Sequence, residues 1–236
     1  MTGFFGKIPS HGDFVTRELP RDFLDPWDMW LQHCMAESKA LLGERWLDAY
    51  LTSPIWRFGL VPGLCGPHAW AGILMPSVDR VGRYYPLTIA APLPAGAGPL
   101  ELPGDADRWF DDVESLALRA LDDDGFDADR LWAGTSRCPA PAMRTPRAEL
   151  STAAGSSWSM VLLGPSSGAI PRALARALIE RDVRQYSLWW TIGSERTLPA
   201  TLVVAGLPDP KCFVDMLHGT WSEAGLAIET GFATEL

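Results

Sequence analysis

The chain has no uninterrupted apolar run approaching the ~18–20 residues that a membrane-spanning helix requires. Its first residues, Met1-Thr2-Gly3-Phe4-Phe5-Gly6, contain neither the basic stretch nor the apolar core of a secretory signal. Positive charge is in short supply: 20 Lys and Arg stand against 29 Asp and Glu, a net charge of −9. A surface built to hold phosphate backbones carries the opposite sign, so nucleic acid is not an expected partner. An anionic membrane surface is disfavoured for the same reason. Cysteine is sparse too. Cys34, Cys65, Cys138 and Cys212 are scattered with no C-x-x-C pair, which argues against a zinc knuckle or a redox motif. These absences lead to the expectation of a cytoplasmic chain with no metal and no cofactor.

What is present is the composition of a globular protein: 236 residues, 47% hydrophobic and 21% charged. That length buries roughly 70–75% of the unfolded surface, enough for one sizeable core. Gly3–Lys7 reads as a first strand, ended by Pro9-Ser10 and the turn-prone Ser10-His11-Gly12-Asp13. Asp25 is the expected N-cap of a helix with Pro26 at its first position. From there Trp27, Trp30, Leu31, Cys34, Met35, Ser38, Leu41 and Leu42 recur on one face up to Gly43. Glu44–Leu51 reads as a second short helix packed through Trp46, Leu47 and Tyr50.

The period then changes. Ile55–Val61, Ala69–Met75 and Leu87–Leu93 are β-rich runs with Gly/Pro connections. In the first, Trp56, Phe58 and Leu60 alternate with Arg57 and Gly59, the pattern of a sheet with one covered face. Short connections imply antiparallel neighbours, because a parallel crossover needs about a dozen residues or more. Residues 92–104, rich in Pro, Gly and Ala, read as a linker or long surface loop. An amphipathic helix follows over Asp107–Leu121, with Gly125 as its stop. Arg137–Ser157 reads as loop, Trp158–Leu163 as a strand and Pro171–Val183 as a helix. Ser187–Ile192 and Thr201–Ala205 read as strands, and Asp209–His218 as a helix. The expectation is a single α+β domain over residues 1–236, its largely antiparallel central sheet flanked by helices.

Two polar segments are candidates for chemistry. In Pro76-Ser77-Val78-Asp79-Arg80-Val81-Gly82-Arg83-Tyr84-Tyr85-Pro86, Arg80 and Arg83 can form a fork for a carboxylate or phosphate oriented by Asp79. The same residues equally make a strand connection in which Asp79 caps backbone N–H groups and pairs with one arginine. In Lys7-Ile8-Pro9-Ser10-His11-Gly12-Asp13-Phe14, Ser10, His11 and Asp13 lie too close in sequence to converge as a hydrolytic triad. A turn that caps the following segment suits them better. Gly164-Pro165-Ser166-Ser167-Gly168 lacks the lysine and spacing of a phosphate-binding loop. Asp105, Asp107, Asp111, Asp112, Glu114, Asp122, Asp123, Asp124, Asp127 and Asp129 read mostly as a solvated face, able to steer a basic partner. Eleven tryptophans divide between core and any docking surface in a way that sequence does not resolve.

The opening Gly3-Phe4-Phe5-Gly6-Lys7-Ile8-Pro9-Ser10-His11-Gly12-Asp13-Phe14 resembles the G-x-(F/Y)-G-K-x-P-x-x-G-D-F start of the TagF/ImpM family. Trp27 and Trp30, then Pro54-Ile55-Trp56-Arg57-Phe58, then Gly72 through Leu87 continue the match in order, so it covers residues 3 to about 90. The resemblance implies a longin- or SNARE-like α/β fold. It also implies a non-catalytic cytoplasmic protein that holds type VI secretion back post-translationally through a forkhead-associated scaffold protein. The family has no established catalytic residues to carry over. Lys7, Ser10, Gly12, Asp13, Ser77, Asp79, Arg80 and Arg83 are therefore candidates for binding or for shaping a shared surface. Two other readings stay open: a sensor or hydrolase of a phosphate-bearing ligand using Asp13, Asp79, Arg80 and Arg83, and a structural subunit of the secretion apparatus.

Overall fold

A computed structural model describes residues 1–123, 125–142, 159–163, 185–221 and 226–230. The helix expected over 171–183, residues 143–157 of the expected loop, Trp158, Asp124 and the 164–168 segment lie outside the described residues. In chain order the elements are β1 (Gly3–Gly6), β2 (Val15–Arg17), α1 (Arg21–Leu42), α2 (Trp46–Thr52), β3 (Trp56–Leu60), β4 (Trp70–Met75) and β5 (Leu87–Pro92). There follow α3 (Asp107–Asp122), α4 (Ala128–Thr135), β6 (Ser159–Leu163), β7 (Tyr186–Thr191), β8 (Ala200–Ala205), α5 (Pro210–His218) and β9 (Leu226–Thr230).

The described strands form one sheet in the order β2-β1-β5-β4-β3-β7-β8-β6-β9. Every neighbouring pair is antiparallel except β6 with β9. The fold is thus the expected α+β arrangement with a largely antiparallel sheet. Helices α1, α2 and α5 cover one face and α3 and α4 the other.

Coverage on both faces corrects the one-sided reading of β3. Its five residues are all buried. Trp56, Phe58 and Leu60 face α1 and α5, whereas Arg57 faces α3 and Gly59 faces Pro99 and Leu102. Period-2 alternation survives, but the second face is filled by other means. The guanidinium of Arg57 donates to Glu114 Oε1 at 2.6 Å, to Glu114 Oε2 at 2.9 Å and to Asp111 Oδ1 at 2.9 Å, and it lies 5.3 Å from the Phe110 ring centroid. Burial works against its charge, but the two carboxylates outweigh it and hold the guanidinium pKa above its ordinary value. Of the acidic set, Glu114 is therefore committed to the sheet, while Asp111 pairs with Arg57 and stays exposed. Gly59 permits close approach: a Cβ there would meet Pro99 Cβ at 2.5 Å and Leu102 Cδ1 at 2.6 Å. Residues 92–104 accordingly pack down as a 3-10 turn (Pro99–Glu101) and one helical turn, with Ala97, Pro99 and Leu102 buried, rather than crossing solvent as a linker or loop.

Helix α1 starts at Arg21, after an extended Pro20, not at Asp25. Pro26 sits in its second turn and gives up one backbone hydrogen bond. Phe23, Trp27, Leu31, Cys34, Met35, Ser38 and Leu42 form the buried stripe, while Leu41 and Leu47, expected to be buried, are exposed. The stripe meets the sheet through aromatic rings. Trp27 is 4.6 Å from Phe58, 5.4 Å from Phe23 and 4.8 Å from Trp30, centroid to centroid. Its Nε1–H donates to Thr88 Oγ1 at 2.9 Å, so the one polar atom of this buried ring is satisfied. Cys34, Cys65 and Cys212 are buried, and burial pushes the first two thiols up to about 12, far from the thiolate form.

Because Trp27 is fully buried and hydrogen-bonded to an equally buried Thr88, Trp27→Ala leaves both a cavity and an orphaned hydroxyl. Urea denaturation followed by circular dichroism should show a loss of about 3–5 kcal/mol in stability.

Candidate functional site

The two polar segments meet at one end of the sheet because β1 and β5, from which they extend, are adjacent antiparallel strands. After β1 the chain makes a turn closed by His11 N–H on Ile8 O at 3.1 Å. Between β4 and β5, residues 77–85 form a tight hairpin. Val78 and Tyr84 bridge, Asp79 N–H donates to Arg83 O at 3.0 Å, and Gly82 N–H donates to Asp79 O at 3.0 Å. Gly82 adopts φ +84°, which favours glycine at this corner.

Asp79 is the centre of this junction. Its side chain is fully buried. Oδ1 accepts Val81 N–H at 3.0 Å and Arg83 N–H at 2.8 Å. Oδ2 accepts Lys7 Nζ at 2.9 Å and Arg83 Nε at 2.6 Å. Burial by itself would raise the carboxyl pKa. The donation from Arg83 N–H, Lys7, the Arg83 guanidinium and Val81 N–H outweighs it and holds the group well below the usual carboxylate range. Lys7 is itself buried, and its ammonium lies 5.1 Å from the Phe14 ring centroid. One carboxylate thereby caps its own turn and ties it to the strand β1 exit, 72 residues earlier.

The remaining links are non-local. Arg83 Nη2 donates to Gly12 O, and Arg80 N–H donates to His11 O at 2.9 Å. Ser77 Oγ donates to Lys7 O at 2.7 Å. Tyr50 OH donates to Ser77 O at 2.8 Å and accepts Ser77 N–H at 2.9 Å, and burial pushes its phenol pKa up. Tyr85 OH donates to Asp28 Oδ1 at 2.5 Å. Ser10 sits apart from Asp79: its hydroxyl donates to Phe126 O at 3.0 Å and lies 3.2 Å from His11 Nδ1.

The structure thus joins Lys7, Gly12, Ser77, Asp79 and Arg83 in one network, with Arg80 attached through its backbone. It does not bring Asp13 in. That side chain is exposed and, among the described residues, accepts the adjacent Phe14 N–H at 2.8 Å. Tyr50, His11 and Phe14 are participants that sequence reasoning missed. Phe14 stacks on Phe5 at 5.5 Å and meets Tyr85 edge-on at 4.8 Å, yet remains 45% exposed. The Phe14 position was visible as the last residue of the opening motif. Nothing local marks Tyr50, which reaches Ser77 from α2.

The four residues suggested for a phosphate-bearing ligand do not converge on a cavity. Asp79 is enclosed and paired, whereas Asp13 and Arg80 face solvent. A small apolar depression adjoins Tyr50, lined also by Pro54, Trp56, Pro76, Pro86 and Met216, and none of the four residues lines it. Among the described residues no group of three or more His, Cys, Asp or Glu side chains could hold a metal ion. No described helix is long and apolar enough to cross a membrane.

A carboxylate with a depressed native pKa contributes stability that is complete above its unfolded pKa of about 3.9 and is lost progressively below it, as the unfolded chain takes up the proton first. Asp79→Asn keeps an oxygen for the turn but loses the charge that faces Lys7 and Arg83. The melting temperature of the variant should lie below that of the parent by a constant margin from pH 6 to 8. That margin should shrink as pH falls below about 4. A margin independent of pH across that whole range would show that the charge contributes nothing.

The family model described as TagF N-terminal domain, Type VI secretion system-associated, matches residues 3–137, which contain the whole Asp79 network. Among solved structures, PA0076 from Pseudomonas aeruginosa PAO1, determined at 2.05 Å, aligns with a TM-score of 0.75 and 39% sequence identity. The alignment covers 94% of this chain and 96% of that one. No curated protein matches the chain. With the motif residues, the model match and the near full-length structural likeness in agreement, the chain belongs to the TagF family of type VI secretion-associated proteins.

Proposed function

We propose that this chain is a non-catalytic, cytoplasmic accessory protein that restrains type VI secretion after translation by binding the forkhead-associated scaffold protein of that system. Family membership supports the association with type VI secretion. The observation that carries the non-catalytic reading is the state of Asp79, the most enclosed acid of the motif. Its oxygens are occupied by Lys7, Arg83 and two backbone N–H groups. A general base or nucleophile needs an oxygen that a substrate can reach, and this one is spent on holding two loops together. Ser10, the motif's hydroxyl, has the Phe126 backbone carbonyl at 3.0 Å as well as His11 Nδ1 at 3.2 Å. Exposed Arg80, Arg83 and Phe14 at the same junction suit contact with another macromolecule.

Full-length protein mixed with the purified scaffold should form a complex of fixed stoichiometry by size-exclusion chromatography with light scattering. Raising the level of this chain in cells should lower secretion while leaving the amounts of the secretion components unchanged. Failure to form a complex with the scaffold, or a fall in the components themselves, would contradict the reading.

A further inference from the structure

We infer that Phe14, Arg80, Val81 and Arg83 form a docking face for an acidic polypeptide segment that carries an apolar side chain. The inference rests on the protein-binding reading above and names the chemistry of the segment that reading requires. Val81 stands at the apex of the 77–85 hairpin and is 66% exposed, while Phe14 is 45% exposed on the neighbouring turn. Neither is loosely held. Val81 N–H is fixed on Asp79 Oδ1, and Phe14 rests on Phe5 and Tyr85. Holding apolar anchors in place before binding lowers the entropy cost of association.

Charge gives the sign of the partner. In a chain of net charge −9, this corner carries Lys7, Arg80 and Arg83 against Asp13 and Asp79, three cations to two carboxylates. Lys7 and Asp79 are buried against each other, so what faces solvent is two guanidinium groups and one carboxylate. Arg83 spends its Nε on Asp79 and its Nη2 on Gly12 O, yet its side chain stays 55% exposed. The Arg80 side chain has no ionic partner among the described residues and extends over Gly12, where an added Cβ would lie 3.6 Å from its Nη2. Arginines beside an aromatic and an aliphatic anchor are the composition of an interface centre.

The test uses full-length protein and a short fluorescein-labelled peptide of Glu and Asp around a central Leu, with the Gln/Asn version of the same peptide as control. By fluorescence anisotropy at low salt the acidic peptide should bind at least about tenfold tighter than the neutral one. The preference should narrow as ionic strength rises from about 0.05 to 0.3 M. Arg80→Glu, which removes no ion pair among the described residues, should abolish the preference without lowering the melting temperature. Arg80→Gln should weaken it, and Val81→Ser should weaken binding of the acidic peptide several-fold. Equal affinity for both peptides, or a preference that survives in Arg80→Glu, would overturn the inference. The scaffold protein forms a second arm. Scaffold binding unaffected by Arg80→Glu, with no acidic-peptide preference, would overturn the docking face and leave the regulator reading intact. An Arg80-dependent peptide preference without scaffold binding would support the docking face and sink the scaffold as partner.

Discussion

A carboxylate removed from water stays charged only if donors replace the water, and Asp79 is where this chain meets that condition. Four donors converge on its two oxygens, two from its own turn, one from Arg83 and one from Lys7 across the sheet edge. The geometry around it follows. The hairpin is shaped by the two backbone donors, the N-terminal turn is drawn in by Lys7, and the Arg83 guanidinium is aimed at Gly12 O. Ser77 and Tyr50 extend the same network to helix α2. A single side chain therefore holds the ends of three elements in register, and the exposed groups of the junction inherit that rigidity.

Elsewhere a sheet buried on both faces makes unpaired polarity costly, and most of its buried polar side chains have partners, the Trp109 Nε1–H on the α3 face being an exception. The α1 face solves this with aromatic bulk, in which the Trp27 indole donates to Thr88 and Trp56 Nε1–H donates to Met216 O at 3.1 Å. On the α3 face Arg57 is admitted only because Glu114 and Asp111 come with it. Both solutions place polar atoms where one specific partner waits. An ion pair of this kind adds little net free energy over an apolar substitute, whereas removing one partner alone leaves a buried charge and is costly.

The β-rich runs at β3, β4, β5, β7 and β8 and the 3.6-residue stripes of α1 and α3 were legible, because burial selects the residues that write them. Strand β2 was not: of Val15–Arg17 only Val15 is buried, so three residues carry no period. Strand β9 and helix α4 were missed as well. Arg57 was misread as facing solvent, since a charge on a strand says nothing of the acids 54 and 57 residues later that neutralise it. At the junction the Asp79–Arg83 pairing was within reach of local reasoning, being four residues apart. The Lys7–Asp79 contact spans 72 residues and the Tyr50–Ser77 contact 27, and only the fold brings these together.

In this member of the TagF family the polar cluster ties two loops into one corner and leaves two arginines and two apolar groups on its outside. The most direct test is a double-mutant cycle on Lys7 and Asp79, comparing Lys7→Met, Asp79→Asn and the pair by urea denaturation of the full chain. A shared staple predicts strong non-additivity, with Lys7→Met costing little more once Asp79→Asn is present. Additive losses would contradict it and return Asp79 to the groups free to engage a ligand.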